Sequence, residues 1–340
     1  MAEVVTFGEI MLRLATNGRY RFFQNGQMEA TFGGSEANVA VSLANFGMDS
    51  AYVTKLPAHA IGDGAVSALR YFNVDTSKIV RGGDRVGIYF LEKGASQRGS
   101  VCIYDRDHSA IKEAEASDFD WDNIFDGAKW FHFSGITPAL GGNLPEICRQ
   151  ACICAKKHGV KVSCDINYRE KLWTKEQARE VMTGLCEYTD VCIVNREHAR
   201  YVLGIEADDT QGTSDGMDFE GCKSVAEKLA DRYGFEKVAV TLRSSVSADD
   251  NVFAAMLYDG TEYCLSDKYR LHMVDRVGGG DAFAAGLIYA VMKGKSCRDS
   301  VEFAAAAAAL KHSIEGDFNR VTADEVERLV RGGDAGRIQR

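Results

Sequence analysis

An α/β fold with a mostly parallel central sheet is predicted by three observations. Short apolar runs recur along the chain, each closed by glycine or a polar residue, with helical patterns between them. The length of 340 residues and a hydrophobic content of 46% suit one large domain carrying an insertion. Two stretches break the alternation and read as a separate small β-sheet.

The first run, Val4-Val5-Thr6-Phe7, is closed by Gly8 and reads as a central strand. Similar runs stand at 51–54, 130–133, 160–164, 191–194 and 238–242. Between them, Val39, Leu43 and Phe46 share one helical face that ends at Gly47. Pro145 opens a helix running to His158, with Gly159 just past its end. Residues 175–188 and 222–233 read the same way, the second stopped by Gly234. The alanine run 304–309 has apolar neighbours at helical spacing and reads as a packed helix. Strands alternating with helices place helices on both faces of the sheet. Val252 to Tyr258 and Thr261 to Leu265 flank Asp259-Gly260, a hairpin turn signal.

The two interruptions are residues 13–32, with no helical period, and 85–110, where Gly87-Ile88-Tyr89-Phe90-Leu91 and Val101-Cys102-Ile103-Tyr104 flank a Gly/Ser-rich turn. They are read as a β lid over a cleft. The core then comprises residues 1–12, 33–84 and 111–340.

Composition narrows the function classes. No run of about 18 apolar residues exists, so no membrane span is expected. Met1 to Phe7 has no basic stretch ahead of an apolar one, unlike a secretory leader, and the expected location is cytoplasmic. A net charge of −9 argues against general nucleic-acid binding, while leaving room for local basic groups around an anionic substrate. Ten cysteines are scattered along the chain and read as reduced thiols. Cys148 and Cys152 share a helix face, Cys154 points elsewhere, and no histidine is read at ligand spacing to them.

The stretch with the strongest chemical content is Asp275-Arg276-Val277-Gly278-Gly279-Gly280-Asp281-Ala282-Phe283. A glycine turn running into a helix N-terminus presents unpaired N–H groups in the positive end of the helix dipole, a place for phosphate. Asp281 there is suited to taking a proton from an attacking hydroxyl. The alternatives are a structural glycine turn, or a dinucleotide fingerprint, against which the acid about twenty residues on, Glu302, falls inside a helix. Gly33-Gly34-Ser35-Glu36-Ala37-Asn38 allows close backbone approach of a ligand, and Asn38 offers donor and acceptor to a sugar hydroxyl; an ordinary turn with a cap is the alternative. Tyr104-Asp105-Arg106 and Asp165-Ile166-Asn167-Tyr168-Arg169 sit at strand ends, where α/β sheets bind ligands. The forks of Arg106 and Arg169 match a carboxylate, and solvated ion pairs are the alternative. Thr241-Leu242-Arg243-Ser244-Ser245 follows another strand and could meet nucleotide phosphates.

Together these segments resemble the ribokinase-like (PfkB) carbohydrate kinases. Gly33 to Ala40 is similar to the family's N-terminal signature, and Asp275 to Asp281 to its C-terminal signature, Asp-Thr-x-Gly-Ala-Gly-Asp, about 245 residues on. The resemblance runs from Val5 to about Val330 and implies the ribokinase-like fold with its β-sheet lid. Gly87 to Phe90, Tyr104 to Arg106, His132 to Leu140 and Asp165 to Trp173 look most like the 2-keto-3-deoxygluconate kinases. That resemblance implies ATP-dependent phosphorylation of the sugar acid at O6. Gly33, Gly34, Asn38, Tyr89, Tyr104, Arg106, Asn167 and Arg169 would face the sugar acid. Asp281 would be the base, and the N–H groups of Gly278, Gly279 and Gly280 the anion hole.

On the nucleotide side the resemblance implies Asn195, Thr241, Arg243, Ser245 and the turn at Gly278 and Gly280, with Asn319 in the segment near adenine and ribose. Mg²⁺ would bridge the phosphates of ATP. The family often carries Asn-x-x-Glu where this chain reads Asn195-Arg196-Glu197-His198, so the metal ligands stay unassigned. Gly279, commonly alanine in the family, is expected to matter little, because its N–H does the binding. A homo-oligomer through the lid sheets is expected, since exposed edges need covering. The competing readings are a kinase of the same family for fructose, a tagatose phosphate or 5-keto-2-deoxygluconate, and a sugar-binding protein on a dead kinase fold.

Overall fold

The computed structural model describes residues 2–208 and 217–332. Its strands are β1 (Val4–Phe7), β2 (Met11–Thr16), β3 (Met28–Gly33), β4 (Ser50–Val53), β5 (Lys55–Leu56), β6 (Val80–Arg81), β7 (Ile88–Glu92) and β8 (Val101–Asp105). They continue as β9 (Trp130–Ser134), β10 (Lys161–Asp165), β11 (Val191–Val194), β12 (Lys237–Ser245), β13 (Asp250–Tyr258), β14 (Tyr263–Leu265) and β15 (Tyr269–His272). Nine of them form one sheet in the order β14-β13-β12-β11-β10-β9-β1-β4, with β15 also pairing β13. From β4 to β12 every pairing is parallel, and the β13 pairings are antiparallel.

The central strands β1, β9 and β11 and the edge strand β4 are buried along their whole length, as a sheet covered on both faces requires. One face is filled by Ile147, Met182 and Val225 from the helices Leu144–Lys157, Lys175–Cys186 and Phe219–Tyr233. The other is filled by Leu43, Phe283 and Phe303 from the helices Ser35–Asn45, Gly279–Met292 and Cys297–Lys311. The alanine run therefore packs as a helix on the second face. Its small side chains permit close approach, and a Cβ at Gly286 would lie 2.8 Å from Ala304 Cα.

Residues 13–32 fold as an antiparallel hairpin of β2 and β3, and β7 pairs antiparallel with β8. The two hairpins join through the parallel β2–β7 pairing into a four-stranded sheet, β3-β2-β7-β8. Met11, Ala15, Tyr89 and Leu91 make its own small apolar cluster, against which Val277 packs. No helix among the described residues is long and apolar enough to cross a membrane. All ten cysteines are free thiols. One expectation is corrected: the sulfur of Cys154 and ligand atoms of Asp122 and His158 lie within 4.8 Å of one another, because the fourth residue on along a helix shares its face. The Asp122 carboxylate there is already paired with Lys157 and His158.

Candidate active site

A cleft of about 1860 Å³ runs between the small sheet and the carboxyl ends of the parallel strands. At its floor the chain turns through Gly278, whose φ of 85° puts it in the left-handed region, and enters the helix Gly279–Met292. A Cβ at Gly278 would lie 2.2 Å from the Asp317 carbonyl oxygen, so glycine is required by space as well as by torsion. The first bond of the helix runs from Ala282 N–H to Gly278 O at 2.9 Å, leaving the N–H groups of Gly279, Gly280 and Asp281 unused by the helix.

Asp281 stands in the first turn with both oxygens held. Ser35 Oγ donates to Oδ1 and Asn38 Nδ2 to Oδ2, each at 2.7 Å. Asn38 Oδ1 in turn accepts from Gly34 N–H at 3.3 Å. The N-terminal signature thus orients the carboxylate of the C-terminal one. Burial raises the Asp281 carboxyl above its ordinary value, and the bonds from Asn38 and Ser35 pull against that shift. Asp165, at the end of β10, is raised to about 7, mainly by burial and then by the charge of Asp281. Gly34 is glycine for close approach, since a Cβ would sit 1.9 Å from the Glu9 carbonyl oxygen.

At the other end of the cleft are Tyr89, Tyr104, Arg106, Asn167 and Arg169. The two arginines differ. Arg106 is buried, and its Nε and Nη2 both donate to Glu9 Oε2, while Glu9 Oε1 accepts from Ser109. Its forked face is therefore turned to Glu9 rather than into the cleft. Arg169 is exposed to the cleft; among the described residues it donates only to the Tyr168 carbonyl, at 3.1 Å, and makes no ion pair. Asn167 holds a φ of 24° and donates backbone and side-chain N–H groups to Asp165. Tyr89 lines the cleft, but its hydroxyl donates to Asp317 Oδ1 at 2.5 Å.

Asn195, Thr241 and Arg243 line the cleft on the far side of the turn. Asn195 caps a short helix by accepting from His198 N–H at 2.8 Å. Burial and the Arg169 charge lower His198 to about 4, and its Nδ1 accepts from Tyr168 N–H. This histidine is a neutral support for the Tyr168-Arg169 segment. His312 Nδ1 lies 2.5 Å from the Ala308 carbonyl and its Nε2 lies 3.0 Å from Arg243 Nη2. We assign the proton to Nδ1, so that Nε2 accepts from Arg243 and aims it.

Four residues named from sequence are not brought to the cleft wall. Gly33 packs against Asp317, and a Cβ there would lie 2.0 Å from Asp317 Oδ2. Ser245 Oγ turns to Asn251 Oδ1 at 2.7 Å. Asn319 is buried, with its Oδ1 on Val321 N–H and its carbonyl on Asn45 Nδ2. Gly279 faces His312, where a Cβ would lie 2.2 Å from Cε1. An alanine at Gly279 would therefore have to displace the His312 ring.

Sequence reading missed a buried charge cluster beneath the turn. Arg13 of β2 donates to Asp275 Oδ2 at 2.5 Å and to Asp317 Oδ1 at 2.6 Å, and Asp275 Oδ2 also accepts from Gly316 N–H. The available signal was an arginine on the alternation of Met11 and Ala15, a strand face that is otherwise apolar.

Comparison with known proteins gives the family. The pfkB family carbohydrate kinases match over residues 1–320. A 2-dehydro-3-deoxygalactonokinase of Haloferax volcanii is 34% identical over 337 residues, covering 98% of each chain. A 2-dehydro-3-deoxygluconokinase of Bacillus subtilis is 27% identical, covering 93% of this chain and 91% of its own. Among solved structures, a 2-dehydro-3-deoxygluconokinase from Thermotoga maritima superposes with a TM-score of 0.92 at 50% identity, over 97% of this chain and 98% of its own. The chain belongs to the pfkB family and is a carbohydrate kinase with the ribokinase-like fold.

Proposed function

We propose that this kinase transfers the γ-phosphoryl group of ATP to O6 of 2-keto-3-deoxygluconate (2-dehydro-3-deoxygluconate), a step of sugar-acid catabolism. The observation that carries the reading is Arg169, a cleft guanidinium that makes no ion pair among the described residues, in the cleft that also holds Asp281. A neutral sugar gives that charge nothing to pair with, whereas a sugar-acid carboxylate matches its fork. Relatives named for 2-keto-3-deoxy sugar acids support the same class.

In this reading Asp281 accepts the O6 proton as the oxygen attacks in line. The N–H groups at the start of the helix Gly279–Met292 hold the charge of the transferring phosphoryl. Asn38 and Ser35 keep the carboxylate aimed, while Arg243, held by His312, meets the nucleotide phosphates. A Mg²⁺ ion accompanying ATP would supply neutralisation of phosphate charge. Asn195 and Glu197 on the cleft wall are oxygen donors of the kind it takes, and both three-residue metal-ligand groups among the described residues lie off the cleft. The small sheet excludes water from the sugar.

The galactonate relative favours a second reading, in which the C4 epimer is accepted as well. Coupled ADP release over sugar acids and neutral sugars, with and without Mg²⁺, tests both. Turnover of neutral sugars alone would refute the carboxylate reading. No turnover with any sugar, despite tight binding of one, would leave a sugar-binding protein instead. Pairing of two copies through the small sheets fits the exposed Ile103 and Tyr104 on its edge strand β8 and the exposed Phe23 beyond β2. Light scattering of Ile103→Lys should then give a smaller particle than the parent.

A further inference from the structure

Lys311 is fully buried at the end of the helix Cys297–Lys311. A lysine is rarely placed so without a carboxylate partner, yet among the described residues it makes no ion pair. Its Nζ donates to the Ile314 carbonyl at 3.1 Å. Its position is directly beneath the phosphate-holding turn, because a Cβ at Gly278 would stand 3.1 Å from Lys311 Cε.

The surroundings are negative. Two carboxylates, Asp275 and Asp317, are buried there and share one arginine, Arg13. The helix that ends at Lys311 also turns its negative pole to the same place, where the His312 carbonyl accepts from Val274 and Asp275 N–H at 2.8 and 3.3 Å. Counting the cluster, Arg13 and Lys311 contribute two positive charges and Asp275 and Asp317 two negative ones, a sum of zero. Without Lys311 the sum is −1, set under the N–H groups that must hold a phosphoryl.

We propose that Lys311 is the fixed cation of the phosphoryl site: with Arg13 its ammonium balances Asp275 and Asp317, so the N–H groups of the turn at Gly278 meet the transferring group with no net negative charge beneath them. It is a positioning residue, acting through the turn rather than touching substrate, and the proposal rests on the phosphoryl-transfer reading above. Burial lowers the Lys311 ammonium, and the Asp275 and Asp317 charges oppose that shift, as a balancing role requires.

The test uses the full-length enzyme and three variants. Lys311→Met keeps the length and removes the charge. Lys311→Ala opens space for a small cation. Lys311→Met with Asp317→Asn restores the zero sum. The expected result is a kcat for Lys311→Met about 10- to 100-fold lower, with sugar KM little changed. Affinity for ATP, measured by calorimetry without sugar, should fall as well. Ammonium or methylammonium should restore Lys311→Ala saturably while methanol does not, and the double variant should recover part of the lost kcat. A kcat for Lys311→Met within twofold of the parent would overturn the proposal. So would equal restoration by methanol, or failure of both the Met and the double variant to fold, since either makes Lys311 a matter of fit rather than charge. Parent turnover on the sugar-acid panel is read separately, so failure here is distinguishable from failure of the kinase reading.

Discussion

Replacing Asp281 with asparagine removes the proposed base while leaving its setting almost unchanged. Asp281 Oδ2 accepts from Asn38 and Oδ1 from Ser35. The amide of the Asp281→Asn variant can place its oxygen toward Asn38 and its NH₂ toward Ser35, whose hydroxyl turns round to accept. Both contacts survive, so the fold and the sugar KM should hold. What is lost is the capacity to take the O6 proton, and with it about 10²- to 10⁴-fold in kcat. At 1.36 kcal/mol per tenfold, that is about 3–5 kcal/mol of transition-state stabilisation. The assay is coupled ADP release with 2-keto-3-deoxygluconate, alongside thermal unfolding. In the parent, the raised Asp281 carboxyl should place the acid limb of kcat/KM above the ordinary carboxylate range, with activity rising as the base ionises. That limb should vanish in Asp281→Asn. A variant with normal Tm and a kcat within tenfold of the parent would refute the assignment.

Four other outcomes follow from the same geometry. Arg169→Ala should raise the KM for the sugar acid about 10- to 100-fold, the worth of one charged hydrogen bond, with a smaller change in kcat; an unaltered KM ends the clamp. Gly279→Ala should push the His312 ring aside and release Arg243, raising the KM for ATP more than that for sugar; equal KM values in parent and variant would show that the ring has room. Arg13→Met should lower stability by about 3–5 kcal/mol in a denaturant titration, because the buried Asp275 and Asp317 lose the guanidinium that pairs with both. Burial raises Glu36 from 4.5 to about 7, so the folded state holds its proton more tightly than the unfolded one. That stabilisation is complete below 4.5 and lost as the pH rises through about 7. Glu36→Gln keeps an oxygen for Ser134 and Thr137, and its Tm advantage over the parent should grow between about pH 5 and about pH 8; parallel curves would dismiss the effect.

The central strands were legible because each is a short apolar run buried on both faces, which leaves no polar alternation to confuse the reading. The turn at Gly278 was legible because glycines ahead of a helix have few other uses. The hairpin of β2 and β3 was harder. Its outer strand has one buried residue, Gly33, and its exposed Glu29 and Ala30 carry no apolar period, so only the absence of a helical pattern pointed to it. The partner of an arginine is the least legible property of all. Arg106 and Arg169 look alike in sequence, and only the fold brings Glu9, 97 residues away, into an ion pair with the first while the second makes none among the described residues. The same holds for Arg13, whose partners lie 262 and 304 residues along the chain.

That long-range cluster sets a limit on modularity. Arg13 and Tyr89 belong to the small sheet, Asp275 to the entrance of the glycine turn and Asp317 to the loop behind it. The sheet is therefore not a detachable cover that could be exchanged between relatives to change the sugar accepted. A graft of β2 and β7 alone would bring its own side chains against Asp275 and Asp317, and any mismatch would leave a carboxylate stranded under the phosphoryl site. If the small sheet selects the sugar, a working chimera has to carry residues 275 and 317 along with it.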